Sequence, residues 1–341
     1  MIKVEHKLKM IIRAKAPVRI SLAGGGTDVS PYIEEKGGIV INTTINKYAY
    51  VTLIARDDTR VKINSLDYKN GFELDCADKL VYDGNLDLVK AAIKVLDIKC
   101  GFELMLHSDT APGTGLGSSS TLTTAVIGTF DRWLHLGLNQ YELAELAYKI
   151  EREEAGIRGG KQDQFATVFG GVNYIEFHSD RTVVNQLRVR PEVLDELEYR
   201  LILCDTKRSR VSADVIAEQV QGYISGNEDV VGALDATREL AIRMREALMM
   251  GQIDEIGRLL DEGWNIKKKF SSKITDPEID EIYEYGMKNG AIGGKLLGAG
   301  GGGHILFLCE GDKKCMMAEK LRGRVVPFAF ESRGLHAWKV D

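Results

Sequence analysis

The segment Ala111-Pro112-Gly113-Thr114-Gly115-Leu116-Gly117-Ser118-Ser119-Ser120 runs straight into a stretch of helical character that extends to Leu136. Glycine at alternate positions lets the backbone take positive φ and approach a ligand closely. The amides of such a loop, with the open N–H groups and positive dipole end of the helix behind it, form a site suited to phosphate. Serines at the helix start either cap it or serve as ligands to a metal or a phosphate. The loop is not a Walker A motif, because Gly-Lys-Ser/Thr occurs nowhere in the chain. Nor is it a dinucleotide fingerprint, which needs an acidic residue at the end of the following strand. Gly298-Ala299-Gly300-Gly301-Gly302-Gly303 fits G-x-G-x-x-G by letter, but it precedes a strand instead of opening a helix.

Glycine punctuates the rest of the chain as well. There are 36 glycines against 6 prolines in 341 residues, above the usual share of about 7%. They gather at Gly24–Gly26, Gly113–Gly117, Gly159–Gly160, Gly170–Gly171 and Gly298–Gly303, each at the end of a segment with clear periodicity. These are junctions and not a low-complexity linker. Alternation predicts strands over Arg13–Leu22, Tyr48–Ala55, Arg60–Asn64, Phe102–His107 and Gly171–Phe177. Helical spacing predicts helices over Leu86–Leu96, Ser118–Leu136 and Gln140–Glu154. After a polar stretch at Arg188–Glu198 the texture changes. A strand at Leu201–Cys204 is followed by almost continuous helix from Ala213 to Phe270, then a helix at Pro277–Lys288, a strand at Ile305–Cys309 and a helix at Asp312–Leu321. Without a regular βαβ rhythm, the expectation is an α+β protein of two domains, 11–190 and 191–341.

The charge sum of −5 argues against a whole-protein grip on nucleic acid or an anionic membrane, though a local basic pocket is hidden in that total. No apolar run reaches the roughly 18 residues of a membrane helix. Met10–Ile12 is too short an apolar block for a signal peptide. Five scattered cysteines without a CxxC pair give neither a disulfide scaffold nor a zinc ribbon. The expected compartment is a reducing cytoplasm.

Pro112 to Ser119 resembles the ATP-binding motif of the galactokinase, homoserine kinase, mevalonate kinase and phosphomevalonate kinase (GHMP) superfamily. Ala16-Pro17-Val18-Arg19-Ile20 with Gly24-Gly25-Gly26-Thr27-Asp28 is similar to its N-terminal substrate-side motif, and Lys295 to Gly303 to its C-terminal glycine motif. Within the superfamily, Arg19 to Asp28, Gly37-Gly38, Thr43 to Tyr48 and Gly160-Lys161-Gln162-Asp163-Gln164 look most like the D-glycero-D-manno-heptose 7-phosphate kinases. The neighbouring fucokinase-type enzymes usually carry tryptophan where this chain has Gly26. The resemblance implies a ribosomal-protein-like N-terminal domain, a ferredoxin-like C-terminal domain, and ATP and a sugar bound in the cleft between them.

On that footing Pro112 to Ser120 are expected to bind ATP, and Gly25, Gly26, Thr27, Asp28, Arg208, Arg210, Gly300 and Gly301 to bind the substrate. Asp163 is read as the base that takes the sugar hydroxyl proton, against a helix-start aspartate that complements a dipole. Arg19 is read as the cation that keeps Asp163 ionised and neutralises the transferring phosphoryl group, against a surface arginine on an alternating strand. Asp28 matches a sugar-binding carboxylate or an Asx-turn residue. Magnesium takes oxygen ligands, and Ser119 and Glu151 match the superfamily's ligands, with Glu153 and Glu154 near enough to shift that assignment by one helical face. Lys207, Arg208 and Arg210 suit the phosphate of an already phosphorylated sugar or form a basic turn. His107 and His304 read as structural. The expected activity is ATP- and Mg2+-dependent phosphorylation of the anomeric hydroxyl of heptose 7-phosphate to the 1,7-bisphosphate. The alternatives are an anomeric kinase for fucose or an amino sugar, and a silent sensor of ATP and sugar. Oligomeric state is not legible.

Overall fold

The computed structural model describes residues 10–67, 70–208 and 212–340. In chain order the first half contains β1 (Ile11–Ala23), α1 (Tyr32–Lys36), β2 (Gly38–Ala55), β3 (Val61–Ser65), β4 (Asn70–Leu74), α2 (Asp87–Val95), β5 (Phe102–Ser108), α3 (Ser118–Leu134), α4 (Gln140–Lys149), α5 (Gln162–Phe169), β6 (Val172–Phe177) and β7 (Thr182–Gln186). The second half contains α6 (Pro191–Arg200), β8 (Leu201–Asp205), α7 (Ser212–Ile224), α8 (Glu228–Met250), α9 (Ile253–Lys267), α10 (Pro277–Lys288), β9 (Ala291–Leu296), β10 (His304–Cys309), α11 (Lys314–Lys320), β11 (Val325–Val326) and β12 (His336–Val340).

Two sheets organise the chain. One is eight-stranded, with the path β12-β1-β2-β5-β3-β4 and a branch through β6 to β7; the other is four-stranded, β11-β8-β10-β9. The branch exists because β2 has 18 residues. Its first part, Gly38–Thr43, pairs with β6, and its second, Ala49–Ala55, pairs with β5. The expected two-domain α+β organisation is present, with one difference at the end of the chain. The last strand, β12, leaves the second sheet's domain and pairs antiparallel with β1. Residues 191–341 are therefore not one continuous unit: β1 has an open edge, and the C-terminal strand covers it.

Apolar side chains on the two sheets meet in a shared core. Ile20, Ile39 and Ile41 from the first sheet pack in one cluster with Leu203, Leu306 and Leu308 from the second and with Leu240, Met244 and Leu260 from α8 and α9. That continuity fixes the two domains against each other. The cleft they enclose is lined from both sides.

The expected helical run 213–270 divides into α7, α8 and α9. Gly251 (φ 72°) caps α8, and its amide bonds back to Leu248, the C-terminal use of glycine. The polar stretch before β8 contains α6, opened by Pro191 and burying Val193 and Leu197.

Candidate active site

Proline inside a central strand cannot donate to the ladder and forces an irregularity. In β1, Pro17 is followed by a register shift against β2 between Pro17 and Arg19. Pairing resumes at Arg19, opposite Thr44; the Arg19 amide donates to Leu116 O (3.0 Å), and its buried side chain enters the cavity. The guanidinium meets Asp163 at the start of α5, with Nε and Nη2 at 2.7 and 2.6 Å from Oδ1, while Nη1 donates to Gly115 O (2.6 Å). Asp163 does not cap α5 with its side chain. It is held by Arg19 across 144 positions of sequence, which a helix-start aspartate alone does not require.

The same arginine touches the glycine loop. Gly117, at φ 79°, is the residue before α3, and no side chain caps that helix. Ser118 Oγ bonds instead with Thr110 Oγ1 (2.7 Å) and donates to Ala111 O (3.1 Å). Ser120 Oγ donates to Glu151 Oε2 (2.8 Å), and Ser119 is exposed on the cavity wall. The first turn of α3 also carries no acid. Its amides and dipole end thus face the cavity uncapped, the arrangement that favours an anion. Gly113, Gly115, Gly117 and Ser118–Ser120 line the cavity. Leu116 is buried in the shared core, Thr114 Oγ1 turns back to Ala111 O, and Pro112 is exposed.

After α4 the backbone widens into a π turn over Ile150–Glu154, marked by the Ala155 N–H bonding to Ile150 O. Such turns re-aim side chains. Here Glu151 is turned inward, 1% exposed, while Glu154 faces out to Lys94 and Tyr82. Glu151 Oε2 accepts from Ser120 and from Gln164 Nε2 (2.7 Å), and Oε1 has no partner. Burial raises the pKa of Glu151, partly opposed by Arg152. A buried carboxylate oxygen without a donor, in a cavity that Ser119 also lines, fits a hard cation held by few protein oxygens plus phosphates. Among the described residues no group of three or more His, Cys, Asp or Glu gathers as a metal cluster.

The substrate-side residues divide. Asp28 is buried in the cavity wall, and both its carboxylate oxygens are already engaged. Oδ1 accepts from Gly26 N (2.9 Å) and Gln162 Nε2 (3.3 Å), and Oδ2 from Gln162 N (3.1 Å). Burial raises its pKa against those bonds. Asp28 therefore ties the first glycine cluster to the start of the helix that carries Asp163. Thr27 is buried and bonds Gly24 O and Ile39 O, whereas Gly25 and Gly26 line the cavity. Gly300 packs on Ile274, and the Gly301 amide donates to Ile274 O (2.8 Å); neither is part of the lining. Arg208 pairs with Glu278 and Asp276 on α10's N-terminal side, also outside the lining, and Lys207 pairs with Asp205. Arg210 lies outside the described residues.

Residues 87–171 match the GHMP kinases N terminal domain and residues 244–320 the GHMP kinases C terminal domain. A D-glycero-alpha-D-manno-heptose 7-phosphate kinase of Campylobacter jejuni is 39% identical over 96% of this chain and 99% of its own length. The chain belongs to the GHMP kinase family. A structure described as a D-glycero-D-manno-heptose 1-phosphate kinase from Bacteroides thetaiotaomicron superposes with a TM-score of 0.82 at 34% identity, covering 97% of this chain and 99% of the other. A galactokinase of Pyrococcus furiosus is 26% identical over 94% of the chain and 96% of its own length.

As a GHMP kinase the chain is an ATP-dependent sugar kinase, and its cavity holds two lysines to which the motifs assigned no role, one of them the first residue of the C-terminal glycine motif. Lys267, at the end of α9, and Lys295, on β9, both line it and are both buried. Burial, with the charges of Lys295 and Arg19, lowers the Lys267 pKa well below the usual lysine range. Burial and Arg19 push Lys295 down to about 8. Ser21 Oγ and Gln162 Oε1, also on the lining, are buried without partners. His304 Nδ1 lies 2.8 Å from Thr114 O, so that nitrogen carries the proton and joins the two glycine loops. Among the described residues no helix is long and apolar enough to cross a membrane.

Proposed function

We propose that this GHMP kinase transfers the γ-phosphoryl group of ATP to the anomeric hydroxyl of a D-glycero-D-manno-heptose 7-phosphate. The observation that carries the reading is the Arg19–Asp163 ion pair set against the uncapped start of α3 in one cavity. In this reading the glycine loop and α3 amides hold the nucleotide phosphates. Arg19 pairs with Asp163 and offers positive charge to the group in flight, and Asp163 Oδ2, which accepts no hydrogen bond among the described residues, takes the hydroxyl proton. Ser119 and Glu151 Oε1 are the oxygens that would hold Mg2+, which when bound neutralises phosphate charge. The substrate is inferred from the Campylobacter jejuni relative, matched along nearly the whole chain.

One local feature separates the site from the fucokinase type. A Cβ at Gly26 would lie 2.8 Å from the Phe270 ring, and Gln219 Nε2 donates to Gly26 O (2.9 Å). No tryptophan fits there without moving both. The test is ADP release with Mg-ATP against a panel of heptose 7-phosphate, heptose 1-phosphate, mannose 6-phosphate, fucose and galactose. Selective turnover of heptose 7-phosphate, with the product phosphorylated at C1, is expected. Equal turnover of fucose or galactose overturns the substrate assignment. Nucleotide binding without turnover of any sugar points to a sensor.

A further inference from the structure

Three cations face the cavity at one place, and only one of them is matched. Arg19 is paired with Asp163. Lys267 Nζ donates to Leu296 O (3.0 Å) and Gly298 O (2.5 Å), and Lys295 Nζ to Leu22 O (3.3 Å). Among the described residues neither lysine has a carboxylate within ion-pair distance, although they are only 8% and 7% exposed. Of the other cations on the lining, Arg152 is partly buried and touches Glu151, and Arg158 is exposed. Burying an ammonium with carbonyls alone as partners is unfavourable. A lysine whose only task was to brace a loop would be replaced at no loss by an apolar or amide side chain.

The carbonyls show where the two charges are aimed. Gly298 packs on Gly115: a Cβ on Gly298 would lie 2.5 Å from Gly115 Cα. Arg19 Nη1 donates to Gly115 O. Lys267 and Arg19 therefore flank the point where the two glycine loops meet, next to the uncapped end of α3, and Lys295 lies on the same cavity wall, bonded to Leu22 O of β1. Each ammonium has three N–H donors, so Lys267 keeps one free and Lys295 two.

We infer that Lys267 and Lys295 form a phosphate-binding pair on the second-domain wall of the cavity, clamping a phosphoryl dianion against the glycine loop together with Arg19. Two positive charges meet two negative ones, and the three spare donors match the oxygens of a phosphoryl group, which a neutral hydroxyl or a sugar ring does not offer. Two sources carry that chemistry, the terminal phosphate of the nucleotide and the phosphate already on the sugar. The inference rests on the kinase reading for the identity of the phosphate, but not for the binding of one.

The experiment is calorimetry on wild type, Lys267→Met and Lys295→Met, without turnover. The probes are ATP, AMP and adenosine on one side, and heptose 7-phosphate, mannose 6-phosphate and mannose on the other. Each substitution is expected to weaken the phosphate-bearing ligand about 10- to 100-fold, the loss of a charge-assisted hydrogen bond, and to leave its unphosphorylated counterpart unchanged. Loss with ATP but not AMP assigns the nucleotide's terminal phosphate. Loss with the sugar phosphates alone assigns the sugar's. The ligand-free variants are expected to melt higher than wild type, since an unmatched buried charge has been removed, and a structural brace would do the opposite. Unchanged affinity for every phosphate in folded variants overturns the inference, as does an equal loss for phosphorylated and unphosphorylated probes. Lys267→Gln and Lys295→Gln keep a donor for the carbonyls and are read the same way if the methionine variants do not fold. Failure of heptose 7-phosphate turnover in wild type would sink the substrate reading and leave these binding results standing.

Discussion

Asp163→Asn is the substitution that separates a proton acceptor from a structural partner of Arg19. Asparagine keeps the shape and an Oδ1 that still accepts from Arg19 Nε, now 2.7 Å away. What it removes is charge. At 2.6 Å and an effective dielectric of about 20, the gross attraction between the two groups is about 6 kcal/mol. Most of that is offset by the desolvation of a pair whose side chains are 4% and 20% exposed. With the hydrogen bond retained, the net loss of stability should be about 1–3 kcal/mol, the range for weakening a bond to a charged group. The catalytic loss is of another order. Removing a general base lowers kcat by about 10²- to 10⁴-fold, toward the lower end where the hydroxyl proton leaves late in a loose transition state.

The assay is therefore double: a thermal melt and a coupled ADP-release assay on the same sample. The expected result is a modest fall in Tm, a kcat reduced at least a hundredfold, and binding of ATP and sugar close to wild type. A well-folded Asp163→Asn protein that keeps more than about a tenth of wild-type kcat has lost less than the weakest base effect. That outcome would refute the assignment and leave Arg19 and the phosphate-loop amides as the principal catalytic elements.

Gly117→Val forces a β-branched residue to φ 79° and puts a Cβ 3.3 Å from Asp163 and 3.5 Å from Arg19; calorimetry should show ATP weakened far more than sugar, and kcat should fall as well because the ion pair is disturbed. Glu151 has a raised pKa, so its burial lowers stability as pH rises from the unfolded carboxylate range through the raised value. Glu151→Gln should abolish that loss, leave the ligand-free protein at least as stable at neutral pH, and increase the Mg2+ concentration needed for half-maximal rate. Burial and the neighbouring Arg19 depress Lys295 to about 8, below the ordinary lysine range, so the unfolded chain holds its proton over that interval and stability should rise with pH across it; denaturant midpoints in Lys295→Met should lack that increment, with Arg19 and Lys267, the cations facing it, left in place. Arg208→Ala breaks pairs with Asp276 and Glu278 outside the cavity, and the KM for sugar phosphate should stay as in wild type.

What the sequence made legible was local. The glycine loop and the helix behind it announce themselves because alternate glycines and the helix start are adjacent in the chain, although Arg19 and His304 hold the loop from far away in sequence. The pairing of Arg19 with Asp163 could not be read from spacing, since it is made by two elements brought together only by the sheet; the superfamily resemblance supplied it. Yet a physical signal stood beside it. Pro17 in the middle of an alternating strand requires a break in the ladder, and Arg19 is the residue at which pairing with β2 resumes after that break. Strands with glycine inside them were missed for the opposite reason. β9 contains Gly293 and Gly294, which lower strand propensity, and a Cβ at Gly293 would lie 1.9 Å from Gly257 O of α9, so close packing of helix on sheet, not propensity, decides that element.

Lys267 and Lys295 mark the limit of reading residue types in place of positions. In Ile266-Lys267-Lys268-Lys269-Phe270 a run of lysines looks like a solvated helix end. The arc Ile256, Leu260 and Trp264 is the buried face of α9, however, and Lys267 is the next residue along it. Lys295 stands in a strand whose neighbours Gly294 and Leu296 are both buried, so either orientation of its side chain leads inward. A lysine on an apolar arc and a lysine in a doubly covered strand are each improbable as packing alone. Both open onto one cavity beside an uncapped helix start, and a shared anion accounts for the two at once.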